Sequence, residues 1–426
     1  MLSIELNELN KDWIDFYVAQ GKLPMFKSIF EENNLIITKS ESKYEQLEPW
    51  IQWPSFYSGQ PFIEHKCFHI GDFYKNNTDS IYEDIQKRNL SVLAISPMNC
   101  YFSEKNNSFF LPDPWEEFEI KGNSFLKTVF KSICKKVNSN ATGNLGTYDY
   151  LKILCGFFVY ARLKNYPKYL KLALRSLKYK WYQAIFLDVL LVDIFINLNK
   201  KNYFAYSSIF LNAGAHIQHH HLYDSDCYHG ENINPESYSR ASSTNVDPIY
   251  EVLSCYDDLL KDLIKLSEKF MVTTGLSQIE NPSPYHQYRF RDFDKFLNTF
   301  EIKCENVIPR MSRDFTIFCK NKKQLEENTE ILKNIYIDNK KLFKLDIDEE
   351  NCSIFAKIAW SGAKDSFQRV RYQENYFNLL DEVALVSIEN SIHSSCGWHL
   401  RNFRSEDEFN EEINIWDLKE VILSNI

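Results

Sequence analysis

No CxxC pair occurs among the ten cysteines, which lie singly between Cys67 and Cys396. A chain of 426 residues can bury its own core without a disulfide scaffold. The cysteines therefore read as reduced, mostly buried thiols, which suits the cytoplasm. The first residues, MLSIELNELNKD, have neither a basic nor an apolar leader region, so no signal peptide is expected. No membrane span is expected either. The most apolar run, Ala184 to Leu198, carries Asp188 and Asp193 and is too short to cross a bilayer. It reads first as a buried helix and second as a membrane-touching one, so peripheral membrane contact stays open. Nor is there an excess of positive charge. The net charge of −9 disfavours nucleic acid as a partner, although a local basic patch remains open. Glycine is scarce, at 12 residues, and no internal repeat or long low-complexity tract is found.

What is present is a globular composition, 44% hydrophobic and 25% charged, with 15% aromatics. The most informative stretch runs from Asn212 to Tyr223 and holds His216, His219, His220 and His221, four of the ten histidines. The preceding segment, Tyr203 to Leu211, is rich in aromatic and β-branched residues and reads as a buried strand. The histidines thus follow the C-terminal end of a strand, where α/β sheets place ligands. On a helix, His216 and His220 share one face, a spacing that holds transition metals. The alternative is a polar helix start that happens to be His-rich. A one-residue shift of the helix would bring in His219 or His221 instead.

In chain order, Ser3 to Leu6 reads as a first strand ending at Asn7 and Glu8, which are either solvated loop or a ligand at the strand tip. Two helices follow, divided at Gly21-Lys-Leu-Pro24, and then a strand at Leu35 to Thr38. Glu48 to Gly59 holds Trp50, Trp53, Ser55 and Ser58 and reads as a tight loop entering a helix. Such a loop either presents a nucleophile or N–H groups to an anion, or packs aromatics. Ser91 to Ser96 and Phe270 to Thr274 read as strands, Asn123 to Asn199 as helical, and Asn245 to Phe270 as a helix opened by Pro248. The Lys- and Tyr-rich run Lys164 to Lys180 could bind acidic material or form a solvated face with aromatic packing behind it. Arg289, Arg291, Arg310 and Arg313 suit phosphate or sulfate, or structural ion pairs.

Taken in order, these pieces resemble the alkaline phosphatase superfamily, in its type I phosphodiesterase/nucleotide pyrophosphatase branch. The likeness covers roughly residues 3–100 and 203–278 and a final His. The branch's "GLDG" falls on Glu5 to Glu8, its "GxLPN" on Gly21 to Pro24, and its "PAWPSFxTG" loop on Ile51 to Gly59, with Pro61 and His65 after it. Its "DxxxH" falls on His216 to His220, its "SDHG" near Thr273 to Gln278, and its "GxH" on Gly397 to His399. The resemblance implies an α/β fold: a central, mostly parallel β-sheet with helices on both faces. The core would comprise 1–122, 202–280 and 386–426, with a helical insertion at 123–201 and a small α+β cap at 281–385.

The branch binds two zinc ions, and here one site departs. Asn7 replaces the strand-one Asp, the "SDHG" carboxylate and His are gone, and no Ser or Thr aligns with the nucleophile. The resemblance implies one divalent metal, zinc first, on His216, His220 and His399. Asn7 and Glu48 would line the vacated side with Glu48 as base, and Arg310 or Arg313 would bind the anion. The implied function is a metal-dependent hydrolase or transferase acting on small-molecule or glycan phosphate or sulfate esters. The alternative is a degenerate relative that binds a glycan, nucleotide or protein partner. A third reading is an envelope-assembly component that docks through the helical insertion.

Overall fold

A computed structural model describes the chain apart from residues 77, 104–105, 117, 139–145, 236–245, 285, 310–312, 338, 363–368, 374 and 405–410. Its first strand, β1 (Leu2–Leu6), is buried along its whole length. It pairs in parallel with β5 (Tyr206–Leu211) on one side and β6 (Phe270–Thr273) on the other. With β2 (Leu35–Lys39), β3 (Val92–Ile95) and β4 (Phe109–Leu111), these strands form part of an eight-stranded sheet. Its order is Glu412–Asn414, β2, Cys396–Arg401, β6, β1, β5, β3, β4. Only Cys396–Arg401 runs against its neighbours; every other pairing is parallel. The fold is therefore α/β with a central, mostly parallel sheet.

Strands with both faces covered are apolar throughout, and β5 shows how one strand feeds two cores. Ile209 and Leu211 join the cluster that contains Ile185, Val189 and Leu253. These come from the helices Tyr182–Lys201 and Pro248–Leu263. Tyr206 and Phe210 face the other way, into the cluster of Trp53, Tyr57, Tyr82 and Ile422. Helices thus cover both faces. Helix α1 (Lys11–Ala19) is capped by Asn10, and Gly21, at φ +72°, makes the turn into α2 (Pro24–Glu32), which starts on Pro24. The segment expected to be a loop entering a helix becomes helix at once: α3 spans Pro49–Ser58, with Glu48 as its N-cap residue.

Between β4 and β5 stand the helices Ser124–Asn138, Thr147–Tyr160, Tyr166–Ser176 and Tyr182–Lys201. Tyr182–Lys201 is long and apolar enough to cross a membrane, but 67% of its apolar window is buried inside the protein. Its two acids explain why a core helix carries charge. Asp193 accepts from Arg162, Asn165 and Tyr169, and Asp188 accepts from Tyr256 and the Ala213 amide.

The chain divides into two compact units, Met1–Glu280 with Ser391–Ile426, and Asn281–Asn390. The second is α+β. It contains two four-stranded antiparallel sheets, a further antiparallel strand pair and a core around Phe290, Phe296, Phe315 and Phe343.

Candidate metal centre

Two backbone bonds place the tip of the first strand. The Asn7 amide donates to the Leu211 carbonyl at the end of β5, and the Glu8 amide to the Thr274 carbonyl just past β6. Glu8 is in the left-handed region, at φ +58°, and is buried. That conformation costs a residue with a Cβ about 1 kcal/mol or more. It is the position at which the resembled branch has the last glycine of "GLDG". A glutamate held there points to a role for its side chain.

The second contributor is the helix Ala213–His221, whose facing is set by its smallest residue. A Cβ on Gly214 would lie 2.4 Å from Leu9 Cδ2, and the Gly214 amide donates to the Tyr256 hydroxyl at 3.0 Å. With Gly214 inward, Ala213, Ala215, Ile217 and Gln218 form the buried face. His219 falls on its flank, beside Ala215. The third contributor is the strand Ser391–Ser394, paired antiparallel with β7 (Ser277–Glu280) so that His393 stands opposite Gln278.

These elements bring three ligand atoms together. His219 Nε2 lies 3.0 Å from Glu8 Oε2, His393 Nε2 lies 3.2 Å from the same oxygen, and the two nitrogens are 3.1 Å apart. Glu8, His219 and His393 are the one such group among the described residues. A tetrahedral ion with bonds of about 2.0–2.1 Å would set its ligand atoms about 3.3 Å apart, close to this triangle. The protonation pattern fits too. His219 Nδ1 lies 3.1 Å from the Ser391 carbonyl oxygen, which can only accept, so Nδ1 carries the proton and Nε2 the lone pair. His393 Nδ1 faces the Glu48 carboxylate at 3.6 Å, which favours the same tautomer. Two lone-pair nitrogens and a carboxylate oxygen at this spacing repel one another unless positive charge joins them. With no cation between them, His393 and His219 protonated on the nitrogens that face Glu8 outweigh its burial and hold the carboxyl well below its usual range, so proton and cation compete for the same lone pairs.

A shell of amides holds Glu8. Asn7 Nδ2 donates to Glu8 Oε1 at 2.9 Å, and Gln278 Nε2 donates to Oε2. Gln278 also donates to the Ala215 carbonyl and accepts from Ser391 Oγ. Gln218 donates to the Glu8 carbonyl and accepts from the Asn10 amide, tying the histidine helix to the strand tip.

The residues singled out in the sequence fall as follows. His216 and His220 do share a helix face, with ring centroids 4.8 Å apart. That face lies away from Gly214, however, and His216 is exposed. His399 is buried inside Cys396–Arg401, opposite Thr273, which in turn pairs with Glu5, so it sits below the strand tips. None of the three belongs to the converging group. Asn7 is a structural amide here: it accepts from Trp53 Nε1 and donates to Glu8 and Asn212. Glu48 stands behind His393. Arg313 is in the second unit, and Arg310 lies outside the described residues.

Ser55 does meet His65, with Oγ 2.9 Å from Nε2. But His65 Nδ1 accepts from the Cys67 amide, so Nε2 is the protonated nitrogen and donates to the serine. Burial also lowers the His65 pKa to about 4. This pair is structural and offers no general base. Glu8 was visible in the sequence as a residue at a strand tip, whereas His393 was passed over for His399. Both follow a small residue by two positions, Ser391 and Gly397, and nothing local separates them.

No known family profile matches the chain, and no curated protein matches it. Among solved structures it is similar to phosphonoacetate hydrolase from Sinorhizobium meliloti 1021 in complex with phosphonoformate. The identity is 10% and the TM-score 0.44, over 99% of this chain and 94% of that one. It is also similar to murine ectonucleotide pyrophosphatase/phosphodiesterase 5, at 12% identity and TM-score 0.39, over 100% and 94% of the two chains. A mutant of TAB5 alkaline phosphatase with Mg bound matches at 10% identity and TM-score 0.39, over 99% and 96%.

Proposed function

We propose that this chain is a metal-dependent hydrolase of phosphate esters with a single divalent cation held by Glu8, His219 and His393. The observation that carries the reading is the triangle of Glu8 Oε2, His219 Nε2 and His393 Nε2, 3.0–3.2 Å on each side. Two histidines and one carboxylate form a donor set common to zinc hydrolases, which makes zinc the first candidate. A bound divalent cation supplies Lewis-acid polarisation of a phosphoryl or sulfuryl oxygen. The chain's own residues supply the rest. Glu8 brings the negative charge, in a buried setting where it acts strongly. The Ser391 carbonyl fixes the His219 ring, and the Glu48 carboxylate, 3.6 Å from His393 Nδ1, favours a proton on that nitrogen. Glu48 is thus a positioning residue rather than the base.

The test is turnover of chromogenic phosphomonoesters, phosphodiesters and sulfate esters with zinc, manganese or magnesium added. Metal-dependent turnover that is lost in His393→Ala supports the reading; a folded, metal-loaded protein inert on all three classes counts against it. In that event the second reading stands, a binding protein for a glycan, nucleotide or protein partner. It is favoured by the spent amide of Asn7 and by the lack of any carboxylate or imidazole from Thr273 to Gln278.

A further inference from the structure

We propose that the helices Thr147–Tyr160 and Tyr166–Ser176 form a docking surface for an anionic lipid bilayer. The first of these helices is pinned by Gly156, where a Cβ would lie 2.2 Å from Val129 Cγ1 of the helix Ser124–Asn138. That close approach turns Gly156 and Tyr160 inward and leaves Leu151, Leu154 and Phe158 on the opposite, exposed side. The second helix is pinned by Tyr169, whose hydroxyl donates to Asp193 at 2.9 Å. Leu170 and Leu174, with Leu177 just past the helix end, then face outward. Leu163, between the two helices, is 79% exposed, and Phe158 and Leu177 are 63% and 76% exposed. Solvent-facing polar residues at these positions would be ordinary; two successive helices with outward apolar rows are not.

Charge selects the occupant. Residues 123–180 hold twelve basic side chains against one acidic, Asp149, in a chain of net charge −9. Some answer acids elsewhere in the unit: Arg162 to Asp193 and Asp262, Lys168 to Asp258, Lys171 and Arg175 to Glu251. The region remains cationic with those four acids counted, and Lys131, Lys178 and Lys180 stand exposed. A second copy of the chain docked through this same surface would bring like charge against like. An apolar row flanked by lysines is the pattern of helices that lie in the headgroup region of anionic membranes.

The test is co-sedimentation of the full chain with phosphatidylcholine vesicles, with and without phosphatidylglycerol. The expected result is pelleting that requires phosphatidylglycerol and weakens at high salt. Leu170→Ser/Leu174→Ser/Leu177→Ser should lower the bound fraction by about tenfold or more, with far-UV circular dichroism unchanged. Lys178→Glu/Lys180→Glu should lower it as well. The proposal is overturned if the wild type does not pellet, or if it pellets equally with both lipids. A wild-type dimer made monomeric by the leucine variant, without vesicle binding, would assign the surface to a second copy. Binding to polyglutamate but not to vesicles would assign it to an acidic protein. None of these outcomes depends on the metal centre.

Discussion

His219 Nδ1 lies 3.1 Å from the carbonyl oxygen of Ser391. A carbonyl can only accept, so this contact fixes the imidazole as the Nδ1–H tautomer and turns the Nε2 lone pair toward Glu8. Nitrogen-15 chemical shifts of the histidine rings in zinc-loaded protein test this. A protonated Nδ1 on His219 is expected; a proton on Nε2 would rule out its role as a ligand.

Glu8 occupies a left-handed conformation that glycine adopts without strain. Glu8→Gly removes a buried charge, yet Asn7 Nδ2 keeps Asn212 and Gln278 Nε2 keeps the Ala215 carbonyl. The relief of strain offsets the lost bonds. The variant is expected to unfold within about 1 kcal/mol of the wild type in denaturant while losing the cation. A loss of several kcal/mol would mean that Glu8 is there for the fold.

Gly214 sets the rotation of the histidine helix through its approach to Leu9. A methyl group there must push Leu9 or the helix aside. Gly214→Ala is expected to cost about 1–2 kcal/mol, after the gain in helix propensity, and to weaken cation binding by moving His219. Calorimetry and metal titration on the same preparation check both effects. Unchanged affinity would separate the glycine from the site.

Four buried carboxyls set an unusual pH dependence, and one of them, Glu116, is pushed well above the usual carboxylate range by burial. Burial, opposed by bonds from Tyr57 and Ser3, raises the Glu5 pKa to about 8, and burial raises Asp113 and Asp188 to about 7 each. Each binds its proton more tightly folded than unfolded, so its stabilising effect is complete below the unfolded pKa. That effect is lost as pH rises through the folded value, at about 1.4 kcal/mol per unit. His65, lowered to about 4, has the opposite sign but acts only below about 6.5. Between pH 6.5 and 8, stability should therefore fall with rising pH. Glu5→Gln, which still accepts from Tyr57, should fall less steeply. Denaturant midpoints at the two pH values test this, and parallel slopes would contradict it.

The fold was legible because its signals were local. The apolar strand before the histidines, the Gly21 to Pro24 break and the helix opened by Pro248 all carry their cause within a few residues. The position of the candidate centre was legible for the same reason: Asn7, Glu8 and the histidine helix mark two strand tips. The identity of the ligands was not. Whether His216, His219 or His220 turns inward depends on Gly214 meeting Leu9, and the choice between His393 and His399 depends on a pairing with Gln278. Both are contacts between residues far apart in the chain, which spacing does not encode.

The measurement that bears most directly on the centre is metal content by elemental analysis, with zinc affinity, across single alanine variants. One divalent ion per chain is expected in the wild type. It should be lost in His219→Ala and His393→Ala and kept in His216→Ala and His220→Ala. Loss in His216→Ala with retention in His393→Ala would contradict the Glu8, His219 and His393 centre.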